Sequence, residues 1–151
     1  MKKLLLGIAA VCLAGFTFAQ DAPLWMRHSV ISPDGTTIAF TYKGDIYTVP
    51  VAGGRAMQIT TNPAYDTAPV WRPDSKRIAF ASDRMGSLDV YIVAKDGGEP
   101  RRLTTHSGSE TPLAFTDAGH VLFSAGIMPS AEAVVFPSNG QFNQVYRVSV
   151  E

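Results

Sequence analysis

Short runs of alternating apolar and polar residues fill the chain from about residue 23 onward. "RIAFAS" (77–82) and "DVYIVAK" (89–95) alternate with a period of two and are rich in β-branched and aromatic residues, which is the pattern of β-strands. "APVW" (68–71) precedes them and "PRRLTT" (100–105) follows. Turn-forming clusters such as Ser-Pro-Asp-Gly, Lys-Gly-Asp and Asp-Gly-Gly separate the runs. The pattern predicts short antiparallel strands and almost no helix.

The strand pattern repeats along the chain. "ISPDGTTIAF" (31–40) returns as "WRPDSKRIAF" (71–80), and Tyr47 returns 44 positions later as Tyr91. A looser third copy contains "FTDAGHVLF" (115–123) and "QVYRVSVE" (144–151). A period of about 40 to 45 residues with four strands per unit is typical of β-propeller blades. The sequence motif repeats because each blade has to bury the same two faces against its neighbours.

The predicted fold is therefore all-β: four-stranded antiparallel propeller blades, two complete and a third partial, from a larger propeller for which we expect six blades. Three blades cannot close a ring, so we expect this chain to be the N-terminal piece of a longer protein. The predicted divisions are a signal peptide at 1–19, a lead-in at 20–27, blade 1 at 28–67, blade 2 at 68–111, and a partial blade 3 at 112–151 with an insertion at 126–143.

The N-terminus has the composition of a secretory signal. Lys2 and Lys3 precede an apolar run, Leu4 to Phe18, and we expect cleavage after Ala19. A run of 15 residues is short for a membrane-spanning helix, and the residue before Cys12 is not the small one that a lipoprotein signal favours. The sequence thus predicts a periplasmic or secreted protein. Cys12 is the only cysteine, so the mature chain would have neither a disulfide nor a thiolate metal site.

The charge distribution narrows the range of partners. The formal net charge is zero, and without the two signal lysines 11 basic residues (13 − 2) face 13 acidic ones. No basic run is longer than Arg101-Arg102. Nucleic acid and anionic membrane are therefore poor candidates. The expected partners are peptides or proteins and downstream domains of the same polypeptide, with no cofactor.

Three segments resemble a known family. "ISPDGTTIAF…GDIYTVPVAGG", "WRPDSKRIAFASDRMGSLDVYIVAKDGGEPRRLT" and "FTDAGHVLFSA" resemble the WD40-like propeller repeats of the TolB and tricorn protease group. The start at "PLWMRHSVISPDG" and the "SAEAVVFP" segment look like exported tricorn-type serine peptidases of the S41 class. The resemblance covers roughly residues 23 to 151. In such peptidases the catalytic domains follow the propellers, so the resemblance implies no catalytic residue in this chain.

The residues themselves agree with a non-catalytic segment. There is no Gly-x-Ser-x-Gly elbow. The histidines, His28, His106 and His120, do not have the spacing of metal ligands. We therefore predict no catalytic residue and no metal site here.

The charged hairpin "SDRMGSLD" (82–89) has two interpretations. Asp83 and Arg84 could form a binding pair on the edge of a blade. Alternatively, Asp83 caps the turn and Arg84 bonds a neighbouring carbonyl or carboxylate. Because Asp and Ser are ordinary turn residues, the second interpretation is favoured.

Two acidic residues occupy matching loops. Asp66 in "PAYDTAP" and Glu110 in "SGSETP" are 44 positions apart, each just before the innermost strand of a blade. Repeated carboxylates near the axial channel could attract a peptide amino terminus or a cation, and Tyr65 could supply contact area. The structural alternative is that each carboxylate caps its own loop. The candidate substrate-binding residues are thus Asp66, Glu110 and Tyr65.

Three functions fit these patterns. The first is a non-catalytic propeller segment of an exported tricorn-like serine peptidase, which binds or gates peptide substrates. The second is a TolB-like periplasmic propeller that binds proteins. The third is the propeller of another exported hydrolase. The sequence downstream of Glu151 would separate them.

Overall fold

The computed structural model describes residues 25–126 and 143–151, and every regular element in these ranges is a β-strand. The predicted signal peptide, most of the lead-in and residues 127–142 of the predicted insertion lie outside the described residues. The strands are β1 (Arg27–Ile31), β2 (Thr37–Tyr42), β3 (Asp45–Pro50), β4 (Met57–Gln58), β5 (Asp66–Trp71), β6 (Arg77–Ser82), β7 (Asp89–Ala94), β8 (Arg101–Arg102), β9 (Glu110–Asp117), β10 (His120–Ala125) and β11 (Gln144–Ser149).

The strands form three antiparallel sheets in chain order. Sheet one is β1-β2-β3-β4, sheet two is β5-β6-β7-β8, and sheet three is β9-β10-β11. The prediction of an all-β chain built from four-stranded antiparallel blades is confirmed. The sheets correspond to blades 1, 2 and 3, and the first strands β1, β5 and β9 pack against one another in sequence. The predicted divisions between blades stay predictions.

Adjacent blades pack through two different faces. One face of blade 2 carries Phe80 and Tyr91, whose rings stack with centroids 5.9 Å apart. This face meets the smaller side chains of Ala39 and Ile46 in blade 1 within one buried cluster. The opposite face of blade 2 carries Ala79, Val90 and Ile92, which bury against Val121 and Phe123 of blade 3. Large rings on small side chains let the sheets approach closely, which is how the repeat produces its core.

Each first strand contains a β-bulge, and each bulge lies at a similar place. The register of β1 shifts between Arg27 and Val30, and that of β5 between Thr67 and Val70. His28 and Ala68 adopt positive φ there, at 51° each. The register of β9 also shifts, opposite Leu122 and Phe123. Bulges bend and twist a strand, so the innermost strand of each blade is bent in a similar way.

The turns after the first strands explain the repeated Pro-Asp pair. Asp34 accepts hydrogen bonds from Ser32 and Thr36, which hold its pKa at about 2. Asp74 accepts the Lys76 N–H at 3.0 Å in the second copy. Ser75, which stands where blade 1 has Gly35, adopts a φ of 58°. Its hydroxyl accepts the Asp34 N–H at 3.1 Å, so this less favourable turn residue also links the two blades.

Candidate functional site

One end of the sheets gathers the sequence-predicted site residues. The starts of β5 and β9 lie there together with the β2–β3 and β6–β7 hairpins, and we call it the upper end. The Asp66 N–H donates to the Gly44 carbonyl at 2.7 Å, and the Glu110 N–H donates to the Leu88 carbonyl at 2.7 Å. Each blade therefore begins against the hairpin of the preceding blade. The 44-residue spacing of Asp66 and Glu110 reflects the same backbone position in both blades.

The Asp66 carboxylate is fully buried and is paired with a cation. An Arg84 guanidinium nitrogen lies 3.1 Å from both carboxylate oxygens, and Arg84 Nε donates to the Ser82 hydroxyl at 2.9 Å. The guanidinium also lies over the Tyr91 ring, 4.5 Å from its centroid. Of the two interpretations of Arg84, the one in which it bonds a neighbouring carboxylate agrees with this geometry.

The Glu110 carboxyl is buried without such a partner. Glu110 is 1% exposed, and its Oε2 accepts no hydrogen bond. Burial raises the pKa of Glu110 above its ordinary value, and Asp89 raises it further. A hydrogen bond from Thr104 and the charges of His106 and Arg102 act in the opposite direction. The two matching acids thus have different surroundings.

A second pair of matching carboxylates lies beside the first. Asp45 begins β3 and accepts from Gln58 Nε2 at 3.0 Å, while burial and the neighbouring Asp66 raise its pKa. Asp89 begins β7, is fully buried, and forms an ion pair with Arg102 at 2.7 Å. Gln58 and Arg102 are again 44 positions apart. In blades 1 and 2, therefore, the third strand starts with an acid that a residue of the fourth strand contacts.

Tyr65 is the sequence-predicted residue that reaches the surface, with 42% of it exposed. Its backbone N–H donates to Asp83 Oδ1 at 2.7 Å, so the Asp83 side chain fixes the loop that carries it. Tyr65 lines a cavity of about 410 Å³ at the upper end. The other lining residues are Trp25, Arg27, Thr41, Lys43 and Gly44. No sequence pattern predicted this cavity, although "PLWMR" does place Trp25 just before strand β1 and Arg27 at its start.

Each of the three histidines has a hydrogen-bonding partner within the protein. His28 Nδ1 lies 3.1 Å from the Thr67 hydroxyl of the neighbouring blade. His106 Nδ1 accepts the Gly108 N–H at 3.0 Å, and His120 Nδ1 lies 3.0 Å from Asp117. Among residues 25–126 and 143–151, no three His, Cys, Asp or Glu side chains are grouped so that they could hold a metal ion. In the same ranges, no helix is long and apolar enough to cross a membrane.

The geometry therefore separates the three predicted site residues. Tyr65 is exposed and lines a cavity, whereas Asp66 and Glu110 lie beneath the surface of the same end. Asp66 forms an ion pair with Arg84. A role for the two carboxylates in substrate binding stays a prediction.

The fold and the repeat define the class of this chain: it is a run of β-propeller blades. The family model described as the tricorn protease N-terminal beta propeller domain matches residues 23–151, and the chain belongs to that family. Its blades are thus of the TolB and tricorn type that the sequence resembles, and it forms a propeller segment of a tricorn-like peptidase or a TolB-like protein.

Individual relatives agree with this assignment. Over 102 residues the chain is 34% identical to Tricorn protease homolog 1 of Streptomyces coelicolor, an alignment that covers 67% of this chain and 9% of that protein. The crystal structure of TolB from Acinetobacter baumannii superposes with a TM-score of 0.62 at 22% identity, covering 81% of this chain and 29% of that one. The crystal structure of the tricorn protease superposes with a TM-score of 0.60 at 14% identity, covering 82% and 13%. The chain thus spans less than a third of the length of each of these relatives.

Proposed function

We propose that this chain is the non-catalytic propeller segment of an exported, tricorn-like S41 serine peptidase, and that it binds peptide substrates or gates their passage. The cavity beside Tyr65 carries the proposal. It lies at the upper end, next to the start of the innermost strand β1, and has two aromatic walls, Trp25 and Tyr65. Aromatic side chains provide contact area at low entropic cost, which suits recognition of peptides.

The fixed position of Tyr65 supports a binding role. Its loop is held from below by the Asp66 N–H bond to Gly44 and from the side by Asp83. A contact residue on a rigid frame loses little freedom when a ligand binds. The exposure of its ring therefore does not follow from a loose loop.

The binding proposal is tested in the intact protein with fluorescently labelled peptides of varied sequence. Replacing Tyr65 with Ala should raise Kd about tenfold, the usual effect of removing an aromatic anchor. Met85 is a matched control because it is exposed at the same end but does not line the cavity. An equal Kd for the Tyr65→Ala variant and the unsubstituted protein would contradict the proposal. So would a lack of binding by the unsubstituted protein.

The acidic residues are tested in the same assay. Changing Asp66 to Asn and Glu110 to Gln keeps acceptor oxygens and removes charge. If these carboxylates attract the amino terminus of a peptide, the Kd of the double variant exceeds that of the unsubstituted protein at low salt, and the difference shrinks as salt screens the field in the unsubstituted protein. A Kd that is unchanged at low salt would leave both residues with a structural role only.

Export and peptidase activity belong to the same proposal. The Lys2-Lys3 pair and the following apolar run support cleavage after Ala19, which mass spectrometry of the protein from its own host would detect. An intact Met1 would contradict export. Hydrolysis of peptides by the intact protein, stopped by a serine-directed inhibitor, is expected. A protein that hydrolyses no peptide but captures a folded envelope protein would favour the TolB-like alternative.

A further inference from the structure

The charged residues that line the upper-end cavity are positive, whereas the charged residues that the sequence predicted for binding are acidic. We propose that this cavity binds the acidic side chain of an Asp or Glu within a peptide. The proposal rests on the proposed function, since it presumes that a peptide occupies the cavity, and it adds the chemical class of the residue bound.

Two cations line the cavity and are not neutralised. Arg27 and Lys43 are both exposed. Arg27 lies over the Trp25 ring at 5.8 Å, and Lys43 lies over the Tyr42 ring at 5.3 Å. Among the described residues, neither forms an ion pair. Contact with an aromatic face orients a cation without cancelling its charge, so both remain available to an anion.

The nearby acids have other partners. Asp45 is held by Gln58 and Thr60, Asp66 by Arg84, and Asp83 accepts the Tyr65 N–H. None of these three residues lines the cavity. A ligand that enters it therefore meets the positive groups first.

The cavity also contains a hydroxyl without a partner. Thr41 lines it and is 2% exposed, and its Oγ1 forms no hydrogen bond. Buried polar groups in proteins are nearly always hydrogen-bonded. A carboxylate offers an acceptor for this hydroxyl and, at the same time, negative charge for the two cations. The aromatic walls, Trp25 and Tyr65, would contact the residues on either side of the acidic one.

The chemistry is tested by anisotropy on the intact protein with pairs of labelled peptides. The peptides are N-acetylated and C-amidated and differ only in a central Glu or Gln. The Glu peptide should bind about fivefold more tightly at low salt, the size expected from two exposed charge contacts. The preference should shrink as salt rises.

The double variant Arg27→Gln/Lys43→Gln should abolish the preference, so that the Glu and Gln peptides bind it with equal Kd. Arg55→Gln is the matched control, because Arg55 is an exposed arginine that does not line this cavity. A third peptide has the central Gln and a free carboxyl terminus.

Equal binding of the Glu and Gln peptides, both dependent on Tyr65, would overturn this inference and leave the proposed function standing. A Glu preference that survives in the double variant would also overturn it, as would binding of the free-carboxyl peptide as tight as that of the Glu peptide. Failure of every peptide to bind would remove the proposed function and the inference together.

Discussion

The two blade junctions use the same packing and treat the same acidic position differently. In both junctions a stacked Phe–Tyr pair buries against small side chains of the preceding blade. At the top of the first junction, Asp66 is paired with Arg84. At the top of the second, Glu110 has an oxygen without any hydrogen bond.

This difference shows which part of the repeat is determined by packing. The apolar residues must match from blade to blade, because every junction joins the same pair of unlike faces. The acid at the start of the first strand can be accommodated by a cation or can be left partly unsatisfied. The free-energy cost of burying this acid then depends on the length and composition of the nearby hairpin. The β6–β7 hairpin is four residues longer than the β2–β3 hairpin, and Arg84 lies within the extra length.

The largest expected effect comes from breaking the first junction. Replacing Arg84 with Met leaves the fully buried Asp66 carboxylate without its cation, and removing one partner of a buried pair is strongly destabilising. We expect the free energy of unfolding of the intact protein to fall by about 3 kcal/mol. Chemical denaturation measures the loss, and hydrogen exchange of β5 and β6 locates it.

The matched control is Arg77→Met, which removes an exposed arginine from the same blade. It should change stability by less than about 0.5 kcal/mol. Adding Asp66→Asn to Arg84→Met should restore much of the loss, because no unpaired charge then remains. If the two arginine variants were equally stable, the pairing of Asp66 with Arg84 would have no energetic importance.

At the second junction, removal of a charged group should raise the free energy of unfolding instead of lowering it. Burial and Asp89 raise the pKa of Glu110 above its ordinary 4.5, so the folded protein holds this proton more tightly than the unfolded chain does. Stability is therefore lost as pH rises from the ordinary value through the raised one. Glu110→Gln cannot ionise and should be more stable than the unsubstituted protein by about 1.5 kcal/mol at pH 8.

The gain should disappear as pH falls below about 4, where Glu110 itself is protonated. His106 and Arg102, which oppose the shift, are retained in both proteins. Glu99→Gln, at an exposed glutamate, should show no such pH dependence. A Glu110→Gln variant less stable than the parent at pH 8 would mean that the carboxylate has a stabilising partner.

The sequence could predict the blades because their cause is local and repeated. Alternation marks the strands, and the Ser-Pro-Asp-Gly and Lys-Gly-Asp turns mark where they reverse. Ser75 takes the place of Gly35 in the second Pro-Asp turn and has a φ of 58°. Its contact with the Asp34 N–H lies 41 positions away in sequence, and no local pattern could have indicated it.

The candidate site was less predictable, since burial depends on tertiary neighbours. Asp66 and Glu110 have the sequence of exposed loop acids, yet both are buried and each is the first residue of a strand. The partner of Asp66 comes from a hairpin 18 positions away. The cavity unites Trp25, Lys43 and Tyr65 from three separate segments, and only the packing of two blades brings them together.

The smallest expected effect on stability comes from contacts at the other end of the same two junctions, opposite the upper end. Ser75 bridges blades 1 and 2 through its hydroxyl, whereas Arg72 bridges blades 2 and 3 by donating to the Ala118 carbonyl at 2.6 Å. Ser75→Ala keeps the left-handed backbone and loses the acceptor, so it should cost about 1 kcal/mol of unfolding free energy. Ser75→Gly also loses the acceptor but relieves the backbone strain, worth about 1 kcal/mol, so its net effect should be close to zero. Denaturant titration of the intact protein separates the two variants. If Ala and Gly destabilised it equally, the positive φ at Ser75 would carry no strain, and the hydroxyl contact alone would explain the residue.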